Sequence, residues 1–133
     1  MMDRTEEVTC ILCPNGCAVT VSSRQDPLSG AWLPTAVSGN LCGRGEAYAK
    51  QELTAPRRTL TSSVAVDGGA LPLASVRLTK AVPRERLPEI MEEIRRMRVS
   101  APVRMGQTLA ENVRGLGADL ICTRNVEKKP AQD

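Results

Sequence analysis

The chain has 133 residues, a formal net charge of +3 at pH 7 and 41% hydrophobic residues, enough for one compact domain or two very small ones. It contains no histidine, which excludes His-containing zinc sites, Cys–His catalysis and Ser–His–Asp triads. Its weak positive charge and 2% aromatic content do not match a nucleic-acid-binding surface, so we expect no nucleic-acid partner.

The first 55 residues predict a small lobe of strands with one short helix. Residues 7–9 and 18–22 are strand candidates, because residues 18–22 alternate apolar and polar side chains. Residues 31–37 predict a returning strand at a sheet edge, since Pro34 cannot donate to a strand ladder. Residues 46–53 predict the helix.

Four cysteines dominate this lobe. Cys10, Cys13 and Cys17 follow a C-x2-C-x3-C spacing, and Cys42 stands alone in a glycine-rich turn. Four thiolates suit either zinc or an iron–sulfur cluster. A close triplet with one distant partner is typical of cluster-binding motifs, whereas structural zinc sites often pair two C-x2-C hairpins. The spacing therefore favours a [4Fe–4S] cluster over zinc.

Glycines surround the four thiols, and we expect them to take part in cofactor binding. Without a β-carbon, their backbone can approach the sulfur atoms and donate N–H groups to them. We expect the charge of Arg44 to act with these N–H groups in setting the potential of the cluster. The predicted cofactor-binding residues are Gly16, Gly39, Gly43, Arg44 and Gly45.

Other interpretations of the cysteines remain open. The same four residues could hold a structural zinc ion, and Cys10 with Cys13 could form a catalytic dithiol.

The N-terminus shows no apolar signal segment and no run reaches the length of a membrane span, so we expect a reduced, cytoplasmic protein. That compartment and the odd count of 5 cysteines oppose a disulfide framework. We interpret Cys122 as a buried cysteine in a strand, where it acts as a small apolar side chain.

Residues 56–126 predict a second lobe, a mixed β-sheet with one amphipathic helix. Residues 54–59 show no periodic pattern of apolar residues, so we interpret them as the link between the two lobes. A strand at residues 61–66 and another at 71–78 flank a turn rich in glycine. The predicted fold class is α+β.

The clearest helix of the second lobe covers residues 83–98. Its regular part is expected to begin near Leu87, with Pro88 in the first turn. Further strands are predicted at residues 108–114 and 119–124, and residues 127–133 predict a flexible tail. The apolar face follows the helical period and comprises Leu87, Ile90, Met91, Ile94 and Met97.

Residues 10–21 and 39–45 resemble the N-terminal [4Fe–4S] segment of molybdopterin oxidoreductases such as formate dehydrogenase. That segment has the same cysteine triplet, a strand after it and a distal G-x-x-C-x-K-G turn. Residues 56–61 resemble the segment that follows. Arg44 stands where the family has a lysine that helps to couple the cluster to the pterin. The pterin-binding domains do not fit into 133 residues, so the chain is not expected to be a molybdoenzyme.

Nearly the whole chain also resembles a small bacterial family of uncharacterised proteins with conserved CXXC pairs. The resembling stretches are residues 9–17, 39–58 and 102–124. Members are often encoded beside an FAD-dependent glycerol-3-phosphate dehydrogenase and a pyridine-nucleotide-disulfide-type oxidoreductase. The resemblance implies an accessory subunit of a flavin-dependent dehydrogenase.

These observations lead to three hypotheses about function. The first is an iron–sulfur electron-transfer subunit that works with an FAD-dependent oxidoreductase and is not catalytic alone. The second is a zinc-stabilised binding module without a redox role. The third is a thiol–disulfide carrier that uses Cys10 and Cys13.

Overall fold

A computed structural model describes residues 2–131 of the chain. The chain forms two compact units, Met1–Pro56 and Arg57–Asp133. Its elements are mostly strands with two α-helices, so the α+β prediction is confirmed. Residue 1 of the predicted first lobe and residues 132 and 133 of the predicted tail lie outside the described residues.

The first unit is a three-stranded antiparallel sheet followed by a helix. The strands have the order β1-β2-β3, so β1 and β3 are its edges, and Pro34 lies on the edge strand β3 as its chemistry requires. The element bounds are β1 Asp3–Thr9, β2 Ala18–Gln25, β3 Trp32–Ser38 and α1 Gly43–Thr54.

The core of the first unit lies between the sheet and α1. Val19 and Val21 alternate with polar residues along β2, so both side chains point to the same face of the sheet. They are fully buried and cluster with Ala49 of α1 and with Cys10. The helix therefore packs on the face of the sheet that also receives the first cysteine.

Strand β1 begins at Asp3, four residues before the strand candidate at residues 7–9. The charged side chain of Arg4 lies opposite the buried Ser23 in the strand register. Its guanidinium stacks on the ring of Trp32 at 4.1 Å from the centroid. Because Arg4 is charged but faces the same side of the sheet as the core, residues 3–6 do not show the alternation of apolar and polar residues that predicts a strand.

The second unit contains a five-stranded mixed sheet with the order β8-β5-β6-β10-β9. Strand β8 pairs with β5 in parallel, and the other pairings are antiparallel. A separate two-stranded ladder joins β4 to β7. The bounds are β4 Arg57–Arg58, β5 Thr61–Asp67, β6 Leu73–Leu78, β7 Val82–Pro83, α2 Leu87–Arg96, β8 Arg98–Ser100, β9 Thr108–Ala110 and β10 Leu120–Cys122.

Helix α2 buries the apolar face that the sequence predicts. Ile90 and Ile94 are buried in the core of the second unit, which includes Val64 and Val76 of the sheet. The helix begins at Leu87 and accommodates Pro88 in its first turn, where a missing N–H costs no helical hydrogen bond. Residues before Leu87 form a short 3₁₀ turn, so the helix is shorter than residues 83–98.

Three further predictions for the second unit are wrong in part. Arg57–Arg58, predicted as part of a link, pairs with Val82–Pro83 as β4. The strand predicted at residues 108–114 ends at Ala110, because Asn112 and Arg114 adopt left-handed backbone angles with φ of 45° and 53°.

The third prediction concerns the tail. The carbonyl oxygen of Glu127 accepts a hydrogen bond from the Ala70 N–H at 2.8 Å, and the Lys129 N–H donates to the Gly68 carbonyl at 2.8 Å. Glu127 also pairs with Arg104. These contacts hold residues 127–129 in place, so they do not belong to a flexible tail.

Neither α-helix in the described part of the chain has the length and apolar character that crossing a membrane requires.

Candidate metal centre

Two of the predicted ligands lie at the neck of the β1–β2 hairpin. The strand register ends with Thr9 opposite Ala18, and Cys10 and Cys17 are the next residue of each chain segment beyond it. The backbone N–H of Cys10 donates to the carbonyl oxygen of Cys17 at 2.8 Å. Cys10 is buried in the core of the first unit and the half-buried Cys17 packs against it. Both side chains therefore lie on the face of the sheet that α1 covers.

Cys13 lies in the loop that connects the two strands, and it is half-buried. The loop exposes 74% of Ile11 and 47% of Leu12. Gly16 closes the loop with φ of +59°, a left-handed conformation that favours glycine. The loop thus carries the third cysteine directly after two apolar side chains that are largely exposed to solvent.

Cys42 occupies the N-cap of α1 and is exposed. Its side chain makes no cap hydrogen bond. The backbone N–H groups of Gly45 and Arg44 nevertheless favour its thiolate and lower the pKa of the thiol, and the Arg44 side chain adds to this effect. The free N–H groups and positive dipole of a helix start stabilise an anion in this way.

The first turn of α1 lies against the hairpin neck. A β-carbon added at Gly45 would lie 3.8 Å from the sulfur of Cys10 and 3.3 Å from Cβ of Asn40. The helix start therefore lies within van der Waals distance of the Cys10 sulfur, and the tighter contact at this position is with Asn40. Because Cys42 begins the same helix, Cys10, Cys17 and Cys42 occupy elements that meet at one end of the first unit. We call Cys10, Cys13, Cys17 and Cys42, with the segments that carry them, the cysteine end.

The other predicted cofactor-binding glycines have local roles of their own. Gly39 has φ of +87°, and a β-carbon there would lie 2.3 Å from the carbonyl oxygen of Ala18. Gly43 begins α1, and its position has open space within 4 Å. Gly39 is thus required by the backbone, whereas Gly43 is not.

The sulfur atoms of the cysteine end are not gathered around one point. Within residues 2–131, no three Cys, Asp or Glu side chains are close enough together to hold a metal ion. The donor set consists of thiols alone, and a helix start that favours a thiolate lies beside the hairpin neck. This chemistry fits a thiolate-bound metal, but the site requires both Cys13 and Cys42 to move toward the hairpin neck.

Sequence reasoning missed Asn40. Its side-chain N–H donates to the carbonyl oxygen of Cys42 at 3.1 Å, and its Cβ lies closest to the position of Gly45. This contact fixes the turn that presents Cys42 at the start of α1. An asparagine two residues before an N-cap is a turn signal that could have identified it.

Cys122 does not belong to the cysteine end. It is fully buried in the core of the second unit, and its sulfur donates to the carbonyl oxygen of Arg124 at 2.9 Å. It packs there as a small apolar side chain, as the sequence predicts.

Comparison with known proteins places the chain in a family. A family model described as a protein of unknown function, DUF1667, matches residues 43–124, which is more than half of the chain. The chain belongs to the DUF1667 family. No curated protein matches it.

A solved structure shows a related fold. The NMR structure of Clostridium perfringens protein CPE0013 is 24% identical over 58% of this chain and 92% of that chain, with a TM-score of 0.51. This similarity concerns the fold alone. The DUF1667 match begins at Gly43 and includes α1 and Cys122 but none of the four predicted ligands. The ligand set therefore remains a prediction from the spacing of the cysteines.

Proposed function

We propose that the cysteine end binds a [4Fe–4S] cluster through Cys10, Cys13, Cys17 and Cys42. We further propose that the chain serves as an accessory electron-transfer subunit of a flavin-dependent dehydrogenase. The single observation that carries the proposal is the approach of Gly45 to the sulfur of Cys10. It brings the helix start that bears Cys42 to the hairpin neck that bears Cys17.

The cysteines would supply the thiolate ligands, and the first turn of α1 supplies N–H groups that stabilise a negative charge. The N–H groups of Gly45 and Arg44 favour the thiolate form of Cys42, which is the form that binds metal. Metal binding would require the loop at residues 11–16 to close and the exposed Cys42 side chain to turn toward the hairpin neck. The loop movement disturbs little core packing, because Ile11 is largely exposed. A bound cluster would accept and pass on one electron at a time.

The partner that this proposal implies is an FAD-dependent oxidoreductase in the reducing cytoplasm. Glycerol-3-phosphate dehydrogenase is the specific candidate that the family resemblance supports. The exposed Ile11 and Leu41 beside the cysteines provide apolar surface for such a contact. A zinc-stabilised binding module is the competing function, because four thiolates satisfy zinc equally well.

The test is metal analysis of the full chain purified without oxygen. We expect iron and acid-labile sulfide in equal amounts, with a brown colour that bleaches when photoreduced FAD is added. Stoichiometric zinc in a colourless protein would overturn the electron-transfer proposal in favour of the binding module. A brown protein whose spectrum photoreduced FAD leaves unchanged would overturn the flavin partnership.

A further inference from the structure

The hairpin neck places two thiols at positions suited to a covalent bond. Just beyond the paired residues of β1 and β2, the Cys10 N–H donates to the Cys17 carbonyl oxygen at 2.8 Å and the Gln25 N–H donates to the Met2 carbonyl oxygen at 2.9 Å. Both bonds continue the antiparallel register, in which hydrogen-bonded pairs recur at every second residue. Cα atoms at such pairs are about 5.5 Å apart. Disulfides join residues whose Cα atoms are about 4.4–6.8 Å apart, so the backbone at this pair is already within range.

The two side chains also share one face. Cys10 is 4% exposed and belongs to the core with Val19 and Ala49, and Cys17 packs against this same cluster. Residues directly opposite each other in an antiparallel pair project to the same side of the sheet. Neither Cys13, in the loop, nor Cys42, on α1, stands opposite another cysteine in a strand pair.

We propose that Cys10 and Cys17 form a reversible disulfide in the metal-free chain, by exchange with a small-molecule disulfide such as oxidised glutathione. The more accessible Cys17 thiolate attacks one sulfur of the oxidant, forms a mixed disulfide and releases one thiolate. The Cys10 thiolate then attacks the Cys17 sulfur and releases the second. The chain loses two protons and two electrons, and the oxidant leaves as two thiols.

This bond controls metal binding at the cysteine end according to the redox state of the two thiols. A disulfide sulfur does not bind metal as a thiolate does, so oxidation removes two of the four proposed ligands at once. Reduction by a thiol restores them. This control of metal binding rests on the proposed function, whereas formation of the bond does not depend on it.

The experiment uses the full chain, freed of metal by a chelator, reduced, and then exposed to oxidised glutathione without oxygen. Remaining thiols are alkylated, and mass spectrometry measures the chain before and after cleavage. Cleavage after Leu12 separates Cys10 from the other two loop cysteines, and hydroxylamine cleavage between Asn15 and Gly16 separates Cys17. Tryptic cleavage after Arg24 first separates Cys42 and Cys122 from residues 5–24, so only a Cys10–Cys17 bond then keeps the two pieces of residues 5–24 joined after either cleavage made separately.

We expect the fragments that carry Cys10 and Cys17 to lose two hydrogens together and to stay joined in both digests. Cys13→Ser should give the same result, whereas Cys17→Ser should end as a glutathione mixed disulfide. Fragments that separate in either digest, or a wild-type chain in which Cys17 remains a glutathione mixed disulfide, would overturn the proposal. Failure of the reduced chain to take up iron or zinc would instead overturn the proposed function, and it would leave the disulfide result unchanged.

Discussion

Gly39 lies so close to Ala18 that a β-carbon on the glycine would come within 2.3 Å of the alanine carbonyl oxygen. The turn that leads to Cys42 is therefore in close backbone contact with Ala18, the first residue of β2 and the residue that follows Cys17. This contact ties together the two segments that carry the predicted ligands. It depends on a backbone conformation, φ of +87°, that side chains other than glycine adopt poorly.

Gly39→Ala should destabilise the first unit by about 2 kcal/mol or more, because it combines the strain of a left-handed backbone with a clash against backbone. The matched control is Gly43→Ala, whose β-carbon meets open space. That change should leave stability unchanged or raise it by up to about 1 kcal/mol. Urea unfolding followed by the fluorescence of Trp32, the single tryptophan, reports on the first unit. Equal midpoints for the two variants would contradict this interpretation of the contact.

The thiol of Cys42 should stay reactive at lower pH than an ordinary cysteine. Its pKa is lowered chiefly by the N–H groups of Gly45 and Arg44, so the thiolate persists below the usual value of about 8.5. The measurement is the rate of iodoacetamide labelling of Cys42 against pH in the metal-free chain, followed by peptide mass spectrometry. We expect a midpoint below that of free cysteine.

Charge variants separate the causes of this shift. Arg44→Gln should raise the Cys42 midpoint only slightly, because the backbone N–H groups contribute more than the guanidinium. Lys50→Gln removes a positive charge that pairs with Glu46 at 2.9 Å on the same helix, and it should leave the midpoint unchanged. A wild-type midpoint equal to that of free cysteine would show that α1 does not activate this thiol.

In the second unit, Gly69→Ala should destabilise the sheet by about 3 kcal/mol. A β-carbon there would lie 2.7 Å from both the Leu71 carbonyl oxygen and Cγ1 of Val66, so the backbone would have to shift. The control, Gly68→Ala, has φ of +67° but open space, and should cost about 1 kcal/mol. Amide hydrogen exchange in β5 and β6 measures both changes. A larger loss for the Gly68 variant would contradict the packing described for this turn.

The sequence predicted well those elements whose pattern is local. The apolar period of α2 placed Ile90 and Ile94 in the core, and the chemistry of Pro88 placed the helix start at Leu87. The alternation of Val19 and Val21 likewise identified β2. In each case one residue type at a fixed spacing determines which face is buried.

Elements stabilised by distant partners were missed. The Arg4 guanidinium is inward-facing because Trp32, far along the chain, stacks against it. Arg57–Arg58 becomes a strand only through its pairing with Val82–Pro83. No local pattern in these segments marks a strand, since their stability comes from contacts that the sequence does not display.

For the candidate site, too, the sequence indicates local patterns but not contacts between separate segments. The cysteine spacing predicted one lobe for Cys10, Cys13, Cys17 and Cys42, and all four residues lie in the first unit. It did not reveal the direct opposition of Cys10 and Cys17, which follows from the strand register. The four-thiolate centre itself stays a prediction.

The most direct test of the account is the metal content of serine variants purified without oxygen. Cys17→Ser and Cys42→Ser should each lose the bound metal and loosen the first unit, because thiolate-bound metal contributes about 10–16 kcal/mol in comparable structural zinc sites. Cys122→Ser, altered in the core of the second unit, should keep the metal. Full metal occupancy and wild-type stability in Cys17→Ser would contradict the four-thiolate centre.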